Sequence, residues 1–399
     1  MYDKEARHVI EALRSGIPSR AVGQYFSEAR PQIMRRISGT LENVCDSGQP
    51  EGMVISGKYG EGKTHLLNTV FNMAHDDNMV VSFLSISKET PMDKLYLVFQ
   101  KAMMGTFLPG RTQPGFARLL EEMSPNSPIA SELLTYAATE LETDRLFYVL
   151  KAYLNTEDQD EKYQLMSDLE GDFVSNPVIR KIYRRVFHTP AKFNVNFRKT
   201  AHAMDYFKFM SHLFVKLGFN GWVILMDEAE LIGRLGKKTR LKAYFNMAKF
   251  LMPDRQMESV FSMFALSSSY VEDVIDGKHE YENLAEVYGE DDEPAKSVLD
   301  LLTKASQLLP LTKEEMQSVM ENLREFHGKA YNWQPDVSME TIWHVTKSGG
   351  YLLRTQIRAA IELLDQVYQY GETGNTRIDE LGKESFEEDV PSLDDIVER

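Results

Sequence analysis

The octet Gly57-Lys58-Tyr59-Gly60-Glu61-Gly62-Lys63-Thr64 fits G-x-x-x-x-G-K-[ST] at every position. Its spacing suits a phosphate chain. Glycines let the backbone curl until successive N–H groups face one anion, in dihedrals that other residues avoid. Lys63 would set its ammonium between the β- and γ-phosphates, and the Thr64 hydroxyl would ligate Mg²⁺, with His65 closing the binding run. The helix that begins here adds its positive end. The bland alternative is a glycine-rich turn with no ligand. Context weighs against it, because the apolar segment Met53–Ser56 precedes the octet and an amphipathic stretch through Leu67, Val70, Phe71 and Ala74 follows it.

A nucleotide site also needs an acid at the end of a second apolar strand. Trp222–Met226 runs into Asp227-Glu228. Asp227 would hold Mg²⁺, directly or through water, and Glu228 would orient and deprotonate an attacking water. Glu230 reads as a first-turn helix acid. A third apolar segment, Ser259–Leu266, ends in Ser267-Ser268-Ser269. Ser267 or Ser268 could hold the water near the γ-phosphate, or the serines could simply cap the next helix.

Further along, Leu353, Ile357, Ile361 and Leu364 make an apolar stripe behind Gly349-Gly350, with Arg354 and Arg358 on the neighbouring face. Arg354 could reach the γ-phosphate from a mobile lid, or be solvated or paired with a carboxylate. Arg234, Arg240 and Arg255 follow the acidic strand as candidates for a finger reaching a neighbouring subunit; for each the alternative is a plain surface residue.

The elements that must position these groups follow from pattern. A helix is expected over EARHVIEALRSG, then a turn at Gly16–Pro18, then a run through Phe26 to Val44. Met79–Ile86 reads as a buried strand, and Pro91 as the first turn of a helix through Leu95, Phe99 and Met103. From Arg111 to Lys199 the pattern is helical, with turn punctuation at Pro125–Pro128 and Pro177. Helices follow at Ala201–Lys216, Lys238–Met252, from the capping box Thr312-x-x-Glu315 to Tyr331, and at Ser338–Thr346 and Leu352–Tyr370. No further strand is expected after Leu266.

The expected fold is therefore α/β, a P-loop parallel sheet flanked by helices, with a large helical insertion and a C-terminal all-helical lid domain. Its parts are an N-terminal helical segment (1–50), an ATPase core in two pieces (51–110 and 201–295), the insertion (111–200), the lid (296–370) and an acidic, mobile tail (371–399).

Composition narrows the partners. The chain has 399 residues, and 45 Lys+Arg against 60 Asp+Glu give a net charge of −15. That argues against a surface wholly given to DNA or to an anionic membrane. Cys45 alone excludes an intrachain disulfide framework or a Cys-rich zinc site, and the nine histidines lack ligand spacing. No apolar run approaches a membrane span and the first residues lack a secretory pattern, so a cytoplasmic protein is expected. One local exception stands out. Between Val178 and Met204 lie Arg180, Lys181, Arg184, Arg185, Lys192, Arg198 and Lys199 without a single acid, interleaved with Tyr183, Phe187, Phe193 and Phe197. Residues 180–199 could follow DNA phosphates while the aromatics stack bases; alternatively the rings pack inward and the cations are solvated.

The order of glycine-rich loop, Asp-Glu strand, serine-ended strand and arginine-bearing helical lid resembles the AAA+ ATPases, in particular the initiator-like group that includes the origin-recognition proteins. More narrowly, GKYGEGKTHLL, WVILMDEAELIGR and GGYLLRTQIRAAIELL are similar to the ATP-binding proteins of bacteriophage-exclusion (BREX) clusters. The resemblance implies ATP and Mg²⁺ as cofactors. It also implies Lys63 and Thr64 at phosphate and metal, Asp227 at metal, Glu228 as base, Arg354 as second sensor, and Arg20 to Gly23 near the adenine. It further implies a helicase or other defence-cluster partner and a possible homo-oligomer. The insertion departs from the AAA+ pattern and leaves ring formation open. The expectation is an ATPase that couples nucleotide state to conformational change and to DNA or a DNA-acting partner. The alternative is a slow nucleotide-dependent scaffold. A DEAD-like helicase would need a second α/β domain, and a small-molecule kinase an acceptor site; neither pattern is present.

Overall fold

The computed structural model describes residues 3–16, 19–26, 29–348 and 352–371. The expectations for Gly349, Gly350 and most of the acidic tail lie outside them, as do Ile17 and Pro18 of the first turn. The strands are Glu51–Gly57 (β1), Val80–Ser85 (β2), Thr106–Phe107 (β3), Trp222–Asp227 (β4), Val260–Ser267 (β5) and Ser306–Gln307 (β6). Among the described residues they form one sheet in the order β3-β2-β4-β5-β1-β6. All neighbours run parallel except β3, which lies antiparallel on β2. β4 and β5 are buried along their whole length, the condition of strands covered on both faces.

The helices, in chain order, are Lys4–Ser15 (α1), Arg20–Tyr25 (α2), Pro31–Ser47 (α3), Lys63–Asp76 (α4), Leu95–Met104 (α5), Ala117–Glu121 (α6), Pro128–Thr139 (α7), Arg145–Asn155 (α8) and Gln159–Ser167 (α9). They continue with Asn176–Phe187 (α10), Lys199–Lys216 (α11), Lys237–Leu251 (α12), Glu280–Tyr288 (α13), Glu293–Thr303 (α14), Lys313–Tyr331 (α15), Met339–Ser348 (α16) and Leu353–Tyr370 (α17).

Period-two alternation sorts the strand side chains between two cores. Val223, Leu225, Phe261 and Met263 face α3 and α4, whereas Ile224, Met226 and Phe264 face α5, α11 and α12. The second core continues without a break into the helical block, through Leu133 of α7, Val149 of α8 and Ile179 of α10. Polar anchors reinforce the seam. Buried Arg145 donates to the Tyr206 hydroxyl at 2.8 Å and pairs with Asp168, while Asp205 accepts from the Thr143 amide and hydroxyl. Such a pair stays put because an uncompensated buried charge would be costly.

A third core is separate. α1 and α2 pack with α15, α16 and α17 around Val9, Ile10, Leu323, Ile361 and Leu364. Arg14 of α1 reaches the Asp365 carboxylate at 2.7 Å and the Tyr331 hydroxyl at 2.9 Å. α3, by contrast, belongs to the sheet.

Four expectations need correction. Pro91 sits in a turn, and α5 begins only at Leu95; the Lys94 amide closes that turn on the Pro91 carbonyl at 3.0 Å. The run from Phe26 to Val44 is not continuous, because Arg30 adopts φ 59° and α3 starts at Pro31. Proline disfavours the right-handed helical region for the residue before it. A strand does follow Leu266, since β6 pairs in parallel with Ile55 and Ser56 of β1. Arg240 is 2% exposed and paired with Glu280 at 2.8 Å, so it holds α12 to α13 and is no surface residue or finger.

Candidate functional site

β1 and β4 both flank β5, so Gly57, Asp227 and Ser267 end side by side at the carboxyl edge of the sheet. In open α/β sheets ligands collect at that edge. The loop after β1 turns through Gly60 at φ 81° and Gly62 at φ 92°, a region where a side chain would be strained. Gly62 then opens α4, and no side chain caps that helix. Its first-turn amides are the donors an anion would use. Lys63, almost buried, donates to the Gly57 carbonyl at 3.0 Å and lies 3.9 Å from Glu230.

The Thr64 hydroxyl donates to Asp227 Oδ2 at 2.6 Å, and the Glu228 amide donates to Oδ1 at 2.9 Å. Glu228 itself sits at φ 57°, ψ 33°, left-handed for a non-glycine residue, with its side chain exposed at the cavity wall. Such strain persists only where neighbouring structure enforces it.

These groups line one end of a cavity of about 460 Å³. The other end is apolar, built from Val22, Phe26, Leu311, Val319, Leu353 and Ile357. A polar end and an apolar end within the usual size of a small-molecule site suit a phosphorylated ligand with a flat apolar head. The third core supplies most of that apolar end.

Two arginines bind the ends together. Arg354 donates through its backbone to the Gly60 carbonyl at 3.1 Å and through Nη1 to the Tyr59 hydroxyl at 3.0 Å. Arg30, which sequence reasoning missed, donates to the Glu61 carbonyl at 2.8 Å and the Leu309 carbonyl at 3.1 Å. Its own amide donates to Glu315 of the α15 capping box at 2.9 Å. Burial pulls the Arg30 guanidinium below its ordinary range, against the pull of Glu61 and Glu315, and burial pushes the Glu61 carboxyl up. Only the Arg-Pro dipeptide hinted at Arg30, and that marks a backbone break without revealing a partner.

The remaining sequence candidates are distributed as follows. Lys58 and Glu61 lie in the loop but do not line the cavity; Tyr59, Gly60, Gly62 and His65 do, although the His65 ring donates to the Phe26 carbonyl at 2.9 Å. Desolvation holds that imidazole below its ordinary range. Ser267 and Ser268 do not line it either. Ser267 is buried with its hydroxyl 3.2 Å from that of Ser269, and the Ser268 amide donates to the Gly57 carbonyl at 3.2 Å. Arg234 and Glu230 do line it, whereas Arg358 and Arg255 do not. Near the proposed adenine segment, Val22 faces the cavity, but Arg20 lies over the Phe71 and Phe107 rings.

In the basic stretch the rings turn inward. Tyr183 and Phe197 are buried, Phe193 packs on Tyr148, and Phe187 on Tyr183. Tyr183 and Phe197 are thereby withheld from base stacking, and Phe187 and Phe193 are half-buried in these contacts. No cluster of three or more His, Cys, Asp or Glu side chains able to hold a metal occurs among the described residues, and no helix there is long and apolar enough to cross a membrane.

Fold and site together define an α/β protein in which the glycine-rich loop after β1 and the Asp227 carboxylate at the end of β4 meet at one end of a two-ended cavity. The chain matches the family model described as BREX system ATP-binding protein BrxC/D over residues 1–123 and 139–380, and it belongs to that family. The match includes most of the helical block. Comparison with curated proteins gives no match.

Proposed function

We propose that the protein binds ATP with Mg²⁺ in this cavity, hydrolyses it, and passes the nucleotide state to the bundle of α15–α17 acting as a lid. The reading makes the core a P-loop ATPase of AAA+ type. One observation carries it: the Thr64 hydroxyl and the Asp227 carboxylate meet at the head of the uncapped α4. Two hard oxygen donors with room for phosphate suit Mg²⁺, which takes few protein ligands and keeps waters and phosphate oxygens. When bound there, the ion supplies charge neutralisation on the β- and γ-phosphates.

The chain's own groups do the rest. Lys63 exchanges its Gly57 and Glu230 partners for the phosphates, and the first amides of α4 hold the β-phosphate. Glu228, exposed at the cavity wall, accepts a proton from the attacking water. Arg354 leaves Tyr59 for the γ-phosphate. The apolar end receives the base. Because α17 rests on Gly60 through the Arg354 amide, movement of the loop is felt by the lid.

Work done with this cycle would be on DNA or on a DNA-acting partner such as a helicase of the same defence cluster, with self-association a further step. The test is phosphate release by the full chain, with and without DNA, beside equilibrium binding of a fluorescent ATP analogue. Binding with magnesium-dependent turnover supports the reading. Absent binding overturns it, and binding with negligible turnover leaves a nucleotide-dependent scaffold.

A further inference from the structure

α10 carries Arg180, Lys181, Arg184 and Arg185 at i, i+1, i+4 and i+5, so two like-charged pairs lie four residues apart on one helix. Such pairs destabilise an isolated helix unless counter-charge is near. All four line one groove together with Pro177 and Pro190. Arg185 has its counter-charge, an ion pair with Glu161, and Arg180 is steadied over the Phe193 ring at 4.8 Å. The Lys181 and Arg184 side chains are exposed and, among the described residues, have neither ion-pair nor hydrogen-bond partner. A protein with 60 acids and 45 bases thus leaves adjacent cations uncompensated in one groove.

We infer that this groove is a docking site for the phosphate backbone of duplex DNA. Four residues of helix advance about 6 Å, close to the rise of about two phosphates along one strand. The inward-turned Tyr183 and Phe197 remove the stacking platform that single-strand binders use, so the groove meets the backbone and binds independently of sequence. The inference rests on the DNA part of the proposed function and not on its nucleotide chemistry.

The experiment is fluorescence anisotropy of the full chain with a labelled 30-base-pair duplex and with a single strand of equal length, titrated with salt, for wild type and the double variant Lys181→Glu/Arg184→Glu. Both residues are exposed and unpaired, and circular dichroism checks that the variant stays folded. The duplex is expected to bind more tightly than the single strand. The variant should lose at least tenfold in affinity, and its salt slope should flatten by about two, one for each phosphate that the variant no longer neutralises. Equal affinity and slope in the variant overturn the site, as does tighter binding of the single strand. Binding of polyglutamate in preference to duplex overturns it in favour of an acidic protein partner. ATP-analogue binding is measured on both proteins. Loss of duplex binding with ATP binding intact isolates this groove, and failure of ATP binding in the wild type falls on the cavity alone.

Discussion

The Thr64 hydroxyl, in the first turn of α4, donates at 2.6 Å to the Asp227 carboxylate at the end of β4, joining positions 163 residues apart. Replacing Thr64 by Val would leave that nearly buried carboxylate without its hydroxyl donor. The expected result is a loss of about 1–3 kcal/mol in urea unfolding, together with loss of the magnesium dependence of ATP-analogue binding. Unaltered magnesium dependence would remove Thr64 from the metal site.

Lys63→Ala takes away the ammonium that rests on the Gly57 carbonyl at the polar end of the cavity. ATP-analogue affinity should fall at least tenfold, read by isothermal titration, since a charge-assisted phosphate hydrogen bond is worth roughly 1.5–3 kcal/mol. Affinity equal to wild type would detach the loop from phosphate binding.

Glu228→Gln keeps shape and removes the proposed base. Binding should persist while phosphate release falls by about 10²–10⁴. Turnover at the wild-type rate would sink the assignment of Glu228.

Arg30 joins the loop carbonyl of Glu61, the carbonyl of Leu309 and, through its amide, Glu315. Arg30→Ala should therefore weaken ATP binding, by relaxing the loop, and lower stability by about 1–3 kcal/mol. Lysine should not restore either property, because one ammonium lacks the planar fork that reaches both carbonyls. Full rescue by lysine in a denaturation series would show that charge alone matters.

The Asp365 carboxyl is held below its ordinary range: burial raises it, but hydrogen bonds from His327 at 3.0 Å and Arg14 at 2.7 Å outweigh that. A depressed folded-state value means that the unfolded chain takes up the proton first as pH falls. The contribution is complete at neutral pH and is lost below about pH 4, the ordinary aspartate value. Trp333 fluorescence should report loosening of the bundle in that window, and Asp365→Asn should remove this part of the pH dependence.

Much of this was legible in the residues. The octet at 57–64, the apolar run into Asp227 and the capping box at Thr312 each carry their signal within a few neighbours, and β1, α4, β4 and α15 stand where those signals put them. β3 and β6 were not legible, since two residues apiece cannot display an alternation. Arg30 was missed for a different reason. Its partners, Glu61, Leu309 and Glu315, come from three separate stretches, and spacing along the chain says nothing about that convergence. The helix over EARHVIEALRSG was legible, but a local stretch does not say which core will cover it.

That covering has a cost in time. Arg14 of α1 meets Asp365 of α17, synthesised 351 positions later, which at translation rates of ~5–20 residues per second is a wait of roughly 20–70 s. Through that interval the core around Val9 and Ile10 lacks its α17 members, Ile361 and Leu364. The apolar end of the cavity, shaped by α1 and α2 against α15 and α17, closes only once α17 has cleared the ribosome. A half-made molecule would have the polar end of the cavity without its apolar end.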